Sequence, residues 1–310
     1  MAITFWSKWW TYQRERFPVF AHGMLVIAFS FSAVSFSSLL RGEVAIPKLS
    51  VLGVAFLSSF IFFLLLRIAD EFKDFEDDSE YRPYRAVPRG LVSLRELGWL
   101  ALGILVIQFS LAVWLNINLL VPLFITWIYL ALMTKEFFVA EWLKKSPITY
   151  MWSHMLIMPL IDFYATAVEW MDAGLSVPPD GLFWFLIVSF FNGLVIEIGR
   201  KIRAPQDEEE GVETYSVLWG RKKAVLVWIA AMIVTAVSAG AAAMLIDFFN
   251  YALILLSVLV IVAVIIALRF IKQPDTKRAK MIENMSGIWT LLMYLSLGVI
   301  PLALQYFKVI

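Results

Sequence analysis

The residues that invite chemistry are Asp70, Glu71, Asp74, Glu76, Asp77 and Asp78, which follow directly on an apolar stretch, with Arg67 just before them. If helix continues through this run, Asp70, Asp74 and Asp78 fall four residues apart on one face. Carboxylates stacked in this way repel one another, and a hard divalent cation with oxygen ligands relieves the repulsion. Mg2+ typically takes one or two carboxylates and completes its shell with substrate phosphates. Arg67 stands within one helical turn of Asp70 and Glu71, close enough to neutralise part of the stripe or to meet an anion held there. Downstream, Arg82, Arg85 and Arg89 lie in a segment shaped by Pro83, Pro88 and Gly90. A guanidinium fork matches phosphate oxygens bidentately. Acids that hold a metal, with arginines alongside, make a site for a diphosphate. Two other readings stay open: a solvated interfacial loop with a snorkelling Arg67, and lipid-headgroup binding by the arginines.

Such a constellation needs elements to position it, and the composition says what they are. Of the 310 residues, 61% are hydrophobic and only 16% charged, against roughly 45–50% apolar in a soluble protein. The mean hydropathy is +0.79. This much apolar side chain must face lipid or a core within lipid. A net charge of +1 excludes a basic nucleic-acid binder. The absence of cysteine removes disulfides, thiolate metal sites and thiol nucleophiles.

A bilayer core needs about 20 apolar residues as helix. Nine stretches qualify: 17–40, 49–68, 97–115, 117–133, 148–168, 182–198, 224–246, 251–268 and 286–305. The expected architecture is all-α and polytopic, with nine transmembrane helices in one bundle and residues 1–310 as a single membrane domain. Residues 1–16 are aromatic and charged and precede a full-length span, so they are not expected to form a cleavable signal. With the N-terminus inside, the 26 Lys and Arg fall on the inner side, except Arg41, Lys48, Lys308 and the intra-span Arg67. The C-terminus then lies outside, and the chemistry belongs at the cytosolic face.

The acidic run resembles the first signature of UbiA-type membrane prenyltransferases, Asn-Asp-x-x-Asp-x-x-x-Asp followed by a loop ending Arg-Pro-x-Pro-x-Gly. Asp70 stands where Asn is usual and Glu71 where the first Asp is, while Asp74 and Asp78 match outright. Arg85, Pro88 and Gly90 match the loop, with Ala86 in place of its first Pro. Nine helices, an inner-face site and the Arg16-Phe17-Pro18 opening are also similar to that family. The resemblance implies Mg2+ held on an isoprenoid diphosphate by Asp70, Glu71, Asp74 and Asp78, together with Glu197.

The family's second acidic motif, after the sixth span, is altered. Glu197 can take its first acidic position, but Arg200 or Lys201 occupies the second, and the following loop is about three residues longer than usual. Exchanging an acid for a base removes a metal ligand and adds a phosphate binder. Either a second metal uses Glu197 with an acid from 207–210, or the site holds fewer metals and Arg200, Lys201 and Arg203 neutralise the diphosphate. A Glu197–Lys201 helical pair and a solvated acidic loop explain the same residues without a ligand. A third family feature, Tyr-x-x-x-Lys-Arg before the fifth span, is partial: Lys144 and Lys145 supply cations, while Glu141 replaces the tyrosine.

His22, His154 and Asn192 lie in the inner halves of apolar spans, where polar groups point into the bundle. They line a cavity and meet an acceptor, with histidine as a candidate base, or they form interhelical hydrogen bonds. Gln108 and Asp162 are assigned structural roles. The expected activity is Mg2+-dependent transfer of a prenyl group from an allylic diphosphate to a lipophilic acceptor. Arg67, Arg82, Arg85, Lys145, Arg200 and Lys201 would bind the diphosphate. Three rivals are a membrane terpene cyclase with no acceptor, a non-catalytic lipid binder, and a transporter, which would place its polar groups near the midplane.

Overall fold

The computed structural model describes residues 4–308, and among these helix is the only regular secondary structure. Residues 1–3 and 309–310 lie outside the described residues. The chain forms α1 (Phe5–Arg16), α2 (Val19–Leu40), α3 (Leu49–Lys73), α4 (Phe75–Tyr81), α5 (Leu94–Leu115), α6 (Leu120–Thr134), α7 (Ala140–Lys144) and α8 (Pro147–Met155). It continues through α9 (Ile157–Asp172), α10 (Leu182–Arg200), α11 (Tyr215–Leu218), α12 (Arg221–Met244), α13 (Phe249–Lys272), α14 (Thr276–Leu297) and α15 (Val299–Tyr306).

Eight helical segments among the described residues are long and apolar enough to cross a membrane. The predicted span 148–168 is two helices, α8 and α9, interrupted at Leu156. Pro159 explains the break: it has no N–H to bond the carbonyl of Met155, and its ring crowds that carbonyl. Pro301 acts in the same way on Leu297, so the last predicted span divides at Gly298 into α14 and α15. At the other end of the chain, Pro18 separates α1 from α2.

α9 sits inside the bundle, touching α2, α3, α6 and α10, while α14 closes the circuit against α2, α10 and α13. Core aromatics such as Trp170, Trp228, Trp289 and Phe185 are buried here. α5 and α13 are peripheral and expose Trp99, Ile107, Ile254 and Leu268, a surface suited to lipid rather than water. Polar groups within the bundle bridge helices, as assigned from sequence. Gln108 donates to the carbonyl of Ser58 at 2.9 Å and accepts from Trp127 at 2.8 Å, while Asp162 accepts from the Tyr294 hydroxyl at 2.7 Å.

α2 carries a run of buried serines, and small residues let helix backbones approach closely. The closest approach is at Gly298, where a Cβ would run into the backbone of Ser32. Gly298→Ala is therefore expected to destabilise the protein by about 1–3 kcal/mol. Gly287→Ala within the preceding α14, where a Cβ meets open space, should leave the thermal inactivation midpoint in detergent unchanged or raised. Equal midpoints for the two variants would refute the close-packing argument.

Ion pairs mark the two ends of the bundle. At one end, Lys8–Glu96 (2.5 Å), Arg16–Glu71 (2.5 Å) and Glu15–Arg89 (2.9 Å) strap α1 to α5, to α3 and to the arginine loop. At the other, Arg41–Glu169 (2.5 Å) and Lys48–Asp172 (2.9 Å) join the two ends of the α2–α3 loop to the end of α9.

Candidate active site

A cavity of about 1210 Å3 opens at the end of the bundle that holds α1, where α3 and α10 finish and α8 begins. Its walls carry Asp70, Asp74 and Asp77, the cations Arg67, Arg82, Arg85, Arg200 and Lys201, and an apolar inner surface that includes Leu66, Met133, Met155 and Met158.

The acidic stripe is not the continuous helical face expected from its spacing. α3 ends at Lys73, and Asp74 forms the junction (φ −95°, ψ 10°) to the short α4. The break brings Asp77, rather than Asp78, to the cavity wall. Asp78 is buried and held by Arg82 at 2.9 Å and Arg85 at 2.6 Å. Glu71 also faces away, 1% exposed and paired with Arg16 at 2.5 Å. These two acids, both expected as metal ligands, serve in this structure as anchors for cations.

Asp70 lies 3.4 Å from Arg67. Asp74 forms none of the ion pairs that occupy Asp70, Glu71 and Asp78. Burial raises the Asp74 pKa above the usual aspartate value; Lys73 opposes the rise, and the neighbouring Asp70 and Asp78 add to it. Among the described residues, no three acidic or histidine side chains form a ready-made metal cluster. A cation such as Mg2+ does not need one, because one or two carboxylates suffice when phosphate oxygens complete its shell. Asp70, Asp74 and Asp77 thus fit a hard divalent ion as a donor set.

The far wall departs further from a metal site. Glu197 accepts from Arg200 at 2.6 Å through one oxygen and from Lys201 at 2.9 Å through the other. Both cations still line the cavity. The acidic run after them is tied to its surroundings by side-chain hydrogen bonds. Asp207, Glu208 and Glu209 line the mouth, accepting hydrogen bonds from Thr276 (2.9 Å), Thr214 (2.7 Å) and Arg203 (2.9 Å), respectively. The Tyr84 hydroxyl reaches Glu209 at 3.2 Å, so the arginine loop touches this run.

Sequence reasoning missed a third group. Lys73, Glu136 and Tyr150 meet on the cavity wall, with Lys73 3.5 Å from Glu136 and hydrogen-bonded to the Tyr150 hydroxyl. Glu136, Phe137 and Phe138 all have left-handed φ values of 46°, 53° and 59°. Three successive non-glycine residues there cost of order 1–3 kcal/mol each, and the turn places Glu136 on the cavity wall. Lys73 and Glu136 are visible in the sequence as charges flanking spans, but nothing local announces that they meet.

The remaining candidates divide. His154 is buried and lines the cavity. His22 does not: it stacks on Phe17, with ring centroids 4.4 Å apart. Asn192 lies behind the wall, next to Gly193, which abuts the cavity-lining Met155 and Met158. Lys145 is exposed and off the wall, and Lys144 takes its place, because the short α7 ends at Lys144 and turns its successor outward.

Comparisons with known proteins agree with this architecture. A structure described as digeranylgeranylglyceryl phosphate synthase in membranes is similar at 17% identity, with a TM-score of 0.65 over 96% of this chain and 99% of that one. An apo UbiA homolog from Aeropyrum pernix K1 is 14% identical, with a TM-score of 0.69 over 89% of this chain and 96% of that one. A UbiA homolog from Archaeoglobus fulgidus, bound to GPP and Mg2+, is 13% identical, with a TM-score of 0.57 over 92% and 98%. No curated protein sequence matches. At these identities the structures speak for the fold alone. The model of the UbiA prenyltransferase family matches residues 28–291, most of the chain, and the protein therefore belongs to the UbiA prenyltransferase family.

Proposed function

We propose that this protein is a Mg2+-dependent intramembrane prenyltransferase. It ionises an allylic isoprenoid diphosphate at the cytosolic face and passes the prenyl group to a lipophilic acceptor. The observation that carries this reading is the composition of one cavity. Carboxylates from the end of α3 and bases from the end of α10 face each other across its mouth, and its inner wall is apolar. A diphosphate with a hydrocarbon tail has the same division of polarity. The structures of homologs bound to GPP or DMAPP with Mg2+ support it.

Asp70 and Asp74, with Asp77 beside them, would hold the metal. Bound there, Mg2+ supplies Lewis-acid charge to the departing diphosphate oxygens. Arg200 and Lys201 face the same space and add fixed positive charge where negative charge develops. Their engagement with Glu197 favours a site in which bases replace the second acidic motif, over one in which Glu197 binds a second metal. Arg67, Arg82 and Arg85 complete the cationic wall. The apolar wall holds the prenyl chain and keeps water from the allylic cation.

The test is incubation of purified protein in detergent with dimethylallyl, geranyl and longer allylic diphosphates, with and without Mg2+. Released diphosphate and organic-extractable products are measured. Mg2+-dependent release with a prenylated acceptor supports the reading. A hydrocarbon product with no acceptor assigns the cavity to cyclisation. No release from any chain length rejects the enzyme reading for those substrates.

A further inference from the structure

α12, α13 and α14 carry a group of cations that the cavity does not use. Lys222 and Lys223 lie in the first turn of α12, Arg269 and Lys272 in the last turn of α13, and Lys277 in the first turn of α14. α12 packs against α13 and is joined to it by residues 245–248 alone; α13 packs against α14 and is joined to it by 273–275. These two hairpins bring all of these side chains to one level. It is the cavity end of the bundle, since Thr276 and Lys280 of α14 line the cavity, but Lys222, Lys223, Arg269, Lys272 and Lys277 do not.

Each of these cations is exposed, and among the described residues none is paired with a carboxylate. The acids close by are taken: Asp275 by Arg278, Glu283 by Lys280 at 2.8 Å, and Glu208 lies nearest to Arg221. Grouped like charges repel, and a lysine in the first turn of a helix is also opposed by the helix dipole. The inner-side bias of Lys and Arg accounts for the level of these residues, but not for the faces they occupy.

Those faces point to lipid. Lys222 heads a stripe on α12 that continues through Leu226, Ile233 and Val237, all exposed. Lys272 ends a stripe on α13 formed by Ile254, Val258, Ile261 and Ile265, also exposed. Helical spacing keeps each stripe on one face, and in a bilayer such faces meet acyl chains. The cations therefore stand at the headgroup level, directly beyond two acyl-facing stripes.

We propose that this seam binds an anionic phospholipid. Its phosphate is held among Lys222, Lys223, Arg269, Lys272 and Lys277, and its acyl chains lie along α12 and α13. A zwitterionic lipid offers the same chains but brings its own ammonium into a cationic patch. A free phosphate ester brings the charge and leaves the apolar stripes uncovered.

The test uses the full-length protein in dodecylmaltoside, with native mass spectrometry reading retained lipid. The probes are dioleoylphosphatidylglycerol, dioleoylphosphatidylcholine and sn-glycerol 3-phosphate. Phosphatidylglycerol should bind about tenfold or more tightly than phosphatidylcholine, and glycerol 3-phosphate in excess should not displace it. Combining Lys222→Gln, Arg269→Gln and Lys272→Gln should weaken phosphatidylglycerol binding by about 10²-fold. The control combines Arg14→Gln, Arg95→Gln and Lys135→Gln, which removes three exposed cations from α1, α5 and the end of α6. It should leave that affinity within about threefold of wild type.

A second measurement needs no variant. Phosphatidylglycerol with a diazirine on its acyl chain should label α12 and α13 of wild type in preference to α5, which is equally open to lipid, and the phosphatidylcholine analogue should show no such preference. Equal loss of affinity in the two triple variants, or equal labelling of α5, reduces the effect to general inner-face charge and overturns the site. Equal binding of the two lipids overturns the headgroup class. Displacement by glycerol 3-phosphate makes this a simple anion site and overturns the lipid. None of these readouts involves prenyl transfer, so they stand or fall apart from the enzyme reading.

Discussion

Asp74→Asn is expected to lower Mg2+-dependent diphosphate release by about 10²–10³-fold or more, the range seen when one preorganised electrostatic contact to a developing anion is lost. The reason is the isolation of this carboxylate. Its neighbours Asp70, Glu71 and Asp78 each have a cationic partner, at 3.4, 2.5 and 2.6 Å, whereas Asp74 has none of these ion pairs and its pKa is raised mainly by burial. A carboxylate disfavoured in its charged form by desolvation gains most from a divalent cation. Asparagine keeps the shape and removes the charge, and with it the repulsion from Asp70 and Asp78. The thermal midpoint without substrate should therefore hold steady or rise while activity falls. Glu76→Gln, on the same acidic run but exposed and off the cavity wall, should behave as wild type. Diphosphate release by Asp74→Asn within a few-fold of wild type would remove Asp74 from the metal site.

The second large effect concerns stability and separates anchor from ligand. The Arg16–Glu71 pair joins α1 to α3, with side chains 11% and 1% exposed. Arg16→Ala leaves the Glu71 carboxylate buried without its partner, a change that typically costs about 3–5 kcal/mol. Replacing both members with apolar residues of similar volume removes the unpaired charge, and such swaps are often neutral. Arg16→Met with Glu71→Leu should thus recover most of the thermal midpoint lost by Arg16→Ala. Because Glu71 faces away from the cavity, this double variant should also retain Mg2+-dependent diphosphate release and an unchanged Mg2+ requirement. If the double variant is as stable as wild type but releases no diphosphate, Glu71 is a ligand, as its place in the first signature implies, and the anchor role is wrong.

Much of this protein is determined by its sequence because the bilayer imposes local rules. Apolar stretches long enough to cross it must be helical, since backbone polar groups find no partners in lipid. The segregation of Lys and Arg between loops orders the spans without reference to any contact. The carboxylates after α3 and the bases after α10 were legible for the same reason: charge at the end of an apolar helix is conspicuous. Even the interrupted spans had local causes, in Pro159 and Pro301.

What only the tertiary structure decided is which charged side chain faces which partner. The junction at Asp74 sends Asp78 to Arg82 and Arg85 and leaves Asp77 on the cavity wall. Glu71 meets Arg16 from another helix, and Lys73 meets Glu136 and Tyr150 across whole spans. A spacing of three or four residues predicts neighbours along one helix. It does not predict the rotation of that helix about its axis, which packing against α2, α5 and α9 sets. A turn of a fraction of a helical repeat exchanges a metal ligand for a salt-bridge anchor, because the side chain then points to a protein cation instead of the open cavity.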